Sequence, residues 1–217
     1  LKKNKKNNFF LINRKQKVKS KNIKTYNVDL SNHIKLNRLM KKIIVDSKKK
    51  VDLIICNAAK GVFGYVDQIE IKDYKNDMDV NFYSHLIIIK SLIPIMKKNH
   101  YGHIINIASG AGIVGISKSS SYSISKSCMQ ILIESIHSEL NKFNIFTKNI
   151  FPGPTNTNFT KKNRYIKHKV NISGKNSNEI SKIIIKNLFK KRINIFCQKK
   201  TAAAFLIKTF PYLNNYF

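Results

Sequence analysis

A tyrosine and a lysine lie four residues apart in the stretch YSISK, which places Tyr122 and Lys126 on one face of a predicted helix. The pKa of a free tyrosine is near 10, and a neighbouring ammonium group stabilises the phenolate and lowers that pKa. Such a phenol can exchange a proton with a substrate oxygen. Ser109, at the end of a predicted strand, carries a hydroxyl that can bind the same oxygen. The three residues together predict a proton-transfer site.

The pattern G-x-G-x-x-G lies between these residues, at positions 110–115. In a dinucleotide-binding fold the third glycine opens a helix, and an acidic residue follows roughly 20 positions later. Here residues 116–121 are mostly serine, and the helix is predicted to begin only near Tyr122. The next acidic residue, Glu134, falls inside that helix. We therefore interpret the pattern as a chance match and not as a phosphate-binding loop.

Short apolar runs alternate with longer amphipathic segments along the chain. The predicted strands are 9–12, 23–30, 51–59, 103–109 and 145–154, and the predicted helices are 31–49, 74–98, 122–143 and 177–191. Ser31 is expected to cap the first helix, and Pro94 to kink the second. Nearly continuous apolar strands separated by helices predict an α/β fold with a mostly parallel, doubly wound sheet and helices on both faces.

Three polar or turn-forming positions fall where predicted strands end. They are Asn57, Ser109 and the pair Pro152 and Gly153. In open parallel sheets ligands bind beyond the carboxyl ends of the strands. The site predicted from Tyr122 and Lys126 is therefore expected at this edge.

The formal net charge of +30 is ordinarily a sign of a nucleic-acid or anionic-membrane partner. Only four of the 41 basic residues are Arg, the residue favoured for phosphate and base contacts, so we expect no specific nucleic-acid partner.

Three scattered cysteines form no C-x-x-C pair and predict a reducing intracellular compartment. The six histidines show no ligand spacing, so no metal site is predicted.

From about residue 9 to 195 the sequence resembles the short-chain dehydrogenase/reductase family, whose members transfer hydride between NAD(P) and a carbonyl or alcohol. The catalytic Ser, Tyr and Lys of that family match Ser109, Tyr122 and Lys126. The Asn of its proton relay matches Asn81 in DVNF. The resemblance implies that Tyr122 donates the proton, that Lys126 lowers its pKa and holds the ribose, that Ser109 orients the substrate and that Asn81 holds a water.

The resemblance also implies a cofactor site in a Rossmann-type fold. Asp29 matches the family's adenine-contacting Asp, and Thr157 matches the position that contacts the carboxamide. Arg14 falls where NADP-preferring members bind the 2′-phosphate, so NADP is the expected cofactor, with NAD as the alternative. The implied cofactor-binding set is Arg14, Asp29, Asn57, Tyr122, Lys126, Pro152, Gly153 and Thr157.

One family feature is not found in the sequence. The family's T-G-x-x-x-G-x-G loop follows its first strand, but the first glycine of this chain is Gly61. The amino-terminal strand, loop and most of the first helix are therefore expected to be missing. We interpret the chain, which starts at Leu1, as an incomplete copy of an intact enzyme. The alternative is a truncated, inactive protein of the same fold that acts as a basic binding protein for an anionic partner.

The remaining predictions concern organisation and partners. We expect one Rossmann-type domain over residues 1–217, with a substrate-side insertion at 158–178 and an apolar tail at 196–217. The tail is a candidate for contact with a membrane surface, and an unpaired strand edge predicts a homo-oligomer. The tail resembles that of the membrane-associated branch of the family, which includes hydroxysteroid and lipid-ketone reductases. Reduction of an acyl-carrier-protein ketone is the alternative. The compartment is expected to be the cytoplasm or the endoplasmic-reticulum membrane.

Overall fold

The computed structural model describes residues 8–15, 20–156, 159, 165, 174–190 and 192–209. The strands are β1 (Phe9–Asn13), β2 (Ile23–Asn27), β3 (Leu53–Cys56), β4 (Gly102–Ile107), β5 (Ile145–Phe151), β6 (Thr155–Asn156), β7 (Lys175–Asn176) and β8 (Asn194–Phe196). The helices are α1 (His33–Asp46), α2 (Ile71–Met78), α3 (Ser84–Asn99), α4 (Ser120–Asn141), α5 (Ser177–Asn187) and α6 (Lys199–Thr209). A π-helical turn (Asp79–Tyr83) joins α2 to α3, and a 3₁₀ turn (Gly110–Gly112) follows β4.

All strand pairings between the named strands are parallel. The central sheet has the order β3-β4-β5-β8, while β1 and β2 form a second pair and β6 and β7 a third. Within the described part of the chain, no strand pairs with the outer edge of β3. The parallel sheet and its helices confirm the predicted α/β, Rossmann-type fold.

The core lies on both faces of the central sheet because successive residues of a strand point to opposite sides. Ile104 of β4 is buried in a cluster with residues of α1, α3 and α4. Its neighbour Ile105 is buried on the other face, with Ile195 of β8 and Leu188 at the end of α5. Near-continuous apolar strands are thus explained by helices that cover both sides.

Several predicted boundaries were wrong in detail. The helix cap is Asn32 and not Ser31, because the Asn32 side chain accepts a hydrogen bond from the backbone N–H of Lys35 at 3.0 Å. Pro94 lies inside α3, and the kink predicted there stays a prediction. The irregular turn lies earlier, at Asp79–Tyr83.

Four elements, β6, β7, β8 and α6, were not predicted, and most of the 158–178 insertion lies outside the described residues. In the described part of the chain no helix is long and apolar enough to span a bilayer. Residues 210–217 of the predicted tail also lie outside the described residues.

Candidate active site

Ser109 and Tyr122 meet at the carboxyl end of β4. Ser109 follows that strand, and Tyr122 lies in the first turn of α4. The Ser109 side chain lies close enough to the Tyr122 phenol to lower its pKa, and its hydroxyl oxygen accepts a hydrogen bond from the N–H of Ala111 at 3.2 Å. The structure therefore brings together two of the residues that the sequence predicted to act on one oxygen.

The pKa of the Tyr122 phenol lies above its ordinary value. Burial is the main cause, because it disfavours the phenolate. The hydrogen bond with Ser109 lowers the pKa in part, and the Asp77 carboxylate raises it further. The pKa of Tyr122 is thus raised where the sequence predicted a lowered one, while the contribution of Lys126 itself stays a prediction.

Lys126 reaches from α4 to the end of β4. Its side chain is buried, with 3% exposure, and its Nζ donates a hydrogen bond to the carbonyl of Ile107 at 2.6 Å. Burial lowers the pKa of Lys126 to about 8, and the neighbouring Cys56 opposes this shift. The pKa of the Cys56 thiol is raised by burial to about 12.

One glycine of the G-x-G-x-x-G pattern, Gly112, packs closely against the backbone at this lysine. Gly110 and Gly112 form the 3₁₀ turn, and a Cβ on Gly112 would lie 3.0 Å from the backbone of Lys126 and of Ser127. Gly115 precedes α4, and a Cβ added there would meet no atom within 4 Å. The pattern therefore does not open a helix at its third glycine, as a dinucleotide-binding loop would.

Asn81 is fully buried in the π-helical turn, and its amide bridges two segments of the site. Its Oδ1 accepts a hydrogen bond from the N–H of Lys60 at 2.9 Å. Its Nδ2 donates to the Lys60 carbonyl at 2.7 Å and to the Ser125 hydroxyl at 2.9 Å. The Asn81 carbonyl lies 3.1 Å from Nδ1 of His85. The amide thus joins the turn after β3 to α4, and the proton-relay function of Asn81 stays a prediction.

Charged residues gather beside the carboxyl end of β2. The Asp29 carboxylate accepts hydrogen bonds from the hydroxyl of Ser31 at 2.7 Å and from its N–H at 3.0 Å, and these bonds lower the pKa of Asp29. The positive charges of Arg14 and Lys60 act in the same direction. Two predicted cofactor-binding residues, Asp29 and Arg14, are therefore close enough to interact, whereas Asn57 is exposed directly after β3.

The Pro-Gly turn after β5 is held by a residue that the sequence did not indicate. The Gln198 side chain donates to the carbonyl of Pro152 at 2.8 Å and to that of Pro154 at 2.7 Å. Gly153 has φ +75°, and a Cβ there would lie 2.7 Å from Oγ1 of Thr201. Only glycine fits this position without strain. Thr157, the last predicted cofactor residue, lies outside the described residues.

An aromatic wall, which we define as Phe63 and Phe159, packs against the Tyr122 ring. The ring centroids of Phe63 and Phe159 lie 5.7 and 5.3 Å from that of Tyr122. A Cβ on Gly61 would approach the same ring to 2.9 Å. Sequence reasoning missed both phenylalanines because neither belongs to a motif.

Among the described residues, no group of three or more His, Cys, Asp or Glu is placed to hold a metal ion.

Comparison with known proteins shows the family to which the chain belongs. The family model described as short chain dehydrogenase matches residues 4–167. The chain belongs to that family. Members of the short chain dehydrogenase family are oxidoreductases, and the comparisons give no support to the alternative of a basic binding protein.

Two curated members of the family are similar over part of this chain. Retinol dehydrogenase 8 of Bos taurus is 33% identical over 110 residues, which cover 51% of this chain and 35% of the relative. The 3-ketodihydrosphingosine reductase of Bacteroides thetaiotaomicron is 32% identical over 133 residues, 61% of this chain and 49% of the relative. The matched part of the chain thus spans less than half the length of these short chain dehydrogenases.

A solved structure shows the same fold. A short chain dehydrogenase from Burkholderia cenocepacia, in complex with NADP, superposes with a TM-score of 0.75 at 18% identity. The superposition covers 90% of this chain and 78% of that protein. At this identity the likeness supports the short chain dehydrogenase fold and nothing finer.

Proposed function

We propose that this chain is an NAD(P)-dependent oxidoreductase that interconverts a carbonyl and an alcohol, with Tyr122 as the general acid and base. The observation that carries the proposal is the placement of Ser109 and Tyr122 at the carboxyl end of β4, where the Ser109 hydroxyl lowers the pKa of the phenol and the buried Lys126 bonds to the same strand end. A substrate oxygen placed between the two hydroxyl groups could be oriented by one and protonated by the other.

The described residues fit the reactive half of a nicotinamide cofactor. Ser109 and Tyr122 lie at the end of β4, and the turn of Pro152 and Gly153 lies at the end of the adjacent β5. Ligands of parallel sheets bind at this edge. Asp29 and Arg14, beside the end of β2, are the candidates for contact with the adenosine half, and Arg14 makes NADP the preferred proposal. The chain carries no T-G-x-x-x-G-x-G loop for the pyrophosphate.

The bound cofactor would supply or accept the hydride, and the chain would move the proton. A phenol whose pKa is raised keeps its proton at neutral pH, so Tyr122 can donate it to the oxygen of a carbonyl substrate. Ser109 would fix that oxygen by a hydrogen bond. Lys126, which is buried and bonded to the end of β4, would hold the cofactor ribose. It would also stabilise the Tyr122 phenolate that is left after the proton is donated.

The substrate class is proposed from the aromatic wall. Phe63 and Phe159 leave an apolar surface against Tyr122, and apolar substrates bind such walls by removing hydrocarbon surface from water. The names of the two curated relatives point to retinol and to 3-ketodihydrosphingosine, both with long apolar chains. A lipid-like ketone or alcohol is therefore the proposed substrate. A homo-oligomer and contact with a membrane surface stay predictions. The first is motivated by the outer edge of β3, with which none of the described strands pairs.

Ser109→Ala tests the role of the hydroxyl that meets Tyr122. The experiment measures NADPH- and NADH-dependent reduction of 3-ketodihydrosphingosine and NADP-dependent oxidation of retinol. Because the variant loses one hydrogen bond to the reacting oxygen, we expect kcat to fall by about 10²-fold. Ser135→Ala, which removes an exposed hydroxyl of α4, is the control and should retain activity. Equal activity of the two variants would contradict the proposal.

A further inference from the structure

Three side-chain hydrogen bonds join the segment from α2 to the π-helical turn with the first turns of α4. The pairs are Tyr74 with Ser120 at 2.6 Å, Asp77 with Ser121 at 2.8 Å and Asn81 with Ser125 at 2.9 Å. The spacing of three and four residues places the three partners from the first segment on one helical face. We call these three pairs the polar seam. These bonds fix α4, the helix that carries Tyr122 and Lys126, against the segment from α2 to the π-helical turn.

Asp77 differs from the other members of the polar seam because it is an acidic side chain without any solvent exposure, and burial raises the pKa of its carboxyl group. Its Oδ2 accepts hydrogen bonds from the Ser121 hydroxyl at 2.8 Å and from the N–H of Val62 at 3.0 Å. Its Oδ1 has no hydrogen-bond partner among the described residues and lies 4.0 Å from Nζ of Lys60. A buried carboxylate is costly, and a neutral amide could accept the same two bonds. The charge itself therefore calls for an explanation.

The two bonded partners of Asp77 flank the proposed acid. Ser121 directly precedes Tyr122 in α4. Val62 lies between Gly61, where a Cβ would come within 2.9 Å of the Tyr122 ring, and Phe63, whose ring packs against that of Tyr122. Oδ2 of Asp77 thus joins Ser121, the residue before Tyr122, to Val62 in the loop that packs on the Tyr122 ring.

We propose that Asp77 is a positioning residue for Tyr122: its carboxylate fixes the phenol between α4 and the loop after β3 and places a negative charge beside the turn of α4 that carries it. This inference rests on the proposed function, because it assigns Asp77 a part in proton donation by Tyr122.

The electrostatic part of the inference follows from the charged groups around Asp77. Lys60 faces it from the loop after β3, Asp73 precedes it by one turn of α2, and Tyr122 lies on the packed helix α4. The Asp73 carboxylate accepts a hydrogen bond from the hydroxyl of Tyr165 at 2.7 Å. The Asp77 charge raises the pKa of Tyr122, so its removal should move the phenol titration to lower pH.

The test is a titration of the full chain labelled with ¹³C-tyrosine, followed by NMR, with Tyr122→Phe used to assign the Tyr122 signal. In Asp77→Asn the amide oxygen can still accept both hydrogen bonds while the charge is gone. We expect its Tyr122 midpoint to fall below that of the parent protein. Asp67→Asn removes one negative charge from an exposed position and should leave the midpoint unchanged.

An unmoved Tyr122 midpoint in Asp77→Asn would overturn the inference. If Tyr122→Phe abolishes turnover and the midpoint is still unmoved, only the inference about Asp77 fails. If Tyr122→Phe retains turnover, the proposed function fails whatever the titration shows.

A second pair of variants covers the case in which Asp77→Asn does not fold. Ser121→Ala removes one bond to Asp77 and keeps its charge, so we expect kcat to fall about 10-fold at constant KM, because the phenol is less well fixed. Ser123→Ala is the control, since the Ser123 hydroxyl bonds only within α4 and its cap, to Ser119 at 3.0 Å. Equal kcat values in the two variants would overturn the positioning role.

Discussion

Tyr122→Phe is expected to lower kcat by about 10²–10⁴-fold, the usual contribution of a positioned general acid. The phenylalanine ring keeps the packing against Phe63 and Phe159, but it has no proton to donate. Because only the hydroxyl is removed and the ring contacts remain, folding should be little affected. Steady-state kinetics on the lipid-like ketone and alcohol, with calorimetric cofactor binding alongside, separate loss of chemistry from loss of binding.

Tyr101→Phe is the matched control for this variant. Tyr101 is 44% exposed and directly precedes β4, at the end of the strand opposite to Ser109. Its hydroxyl therefore lies away from the proposed site, and its removal should leave kcat unchanged. Turnover by Tyr122→Phe equal to that of Tyr101→Phe would exclude Tyr122 as the acid.

Lys126→Met is expected to make the protein more stable and much less active. The native pKa of Lys126 is about 8, against an ordinary value of 10.5, because the ammonium is buried. At about 1.4 kcal/mol for each pH unit, the charged side chain costs the native state about 3 kcal/mol at neutral pH. The bond to the Ile107 carbonyl offsets part of this cost. Urea unfolding at pH 7 should therefore show the variant to be more stable by about 1–3 kcal/mol.

The pH dependence of the two proteins gives a second readout. Between pH 8 and 10.5 the native chain has lost the Lys126 proton while the unfolded chain still holds it. The free energy of unfolding of the parent protein, relative to the variant, should therefore rise with pH across this window. In turnover we expect a loss of about 10²–10³-fold, because the variant lacks a cation beside the developing phenolate. A variant that is both less stable and fully active would contradict this description of Lys126.

The fold and the location of the site could be predicted from local patterns. Apolar strands separated by helices indicate a parallel sheet, and parallel strands end at a common edge. This is why the sequence alone could indicate that Ser109 and Tyr122 meet. The interpretation of residues 110–115 as a chance match rested on the same logic, because no helix opens at the third glycine.

The residues that could not be predicted act through partners distant in sequence. Asp77 is informative only because Val62 and Ser121 surround it, and Gln198 only because it holds the carbonyls of the Pro-Gly turn. The sign of the Tyr122 pKa shift was predicted wrongly for a related reason. The spacing of Tyr122 and Lys126 indicates that they are neighbours on a helix, but it does not indicate how deeply the phenol is buried.

The central claim is that the edge formed by β4, β5 and α4 binds a nicotinamide dinucleotide. The most direct measurement is isothermal titration calorimetry of the full chain with NADPH and with NADH, which requires no knowledge of the substrate. We predict saturable binding of one cofactor molecule per chain, weakened by Lys126→Met and unchanged by Tyr122→Phe. Absence of saturable binding of either cofactor up to about 1 mM, the upper end of ordinary enzyme affinities, would contradict the account.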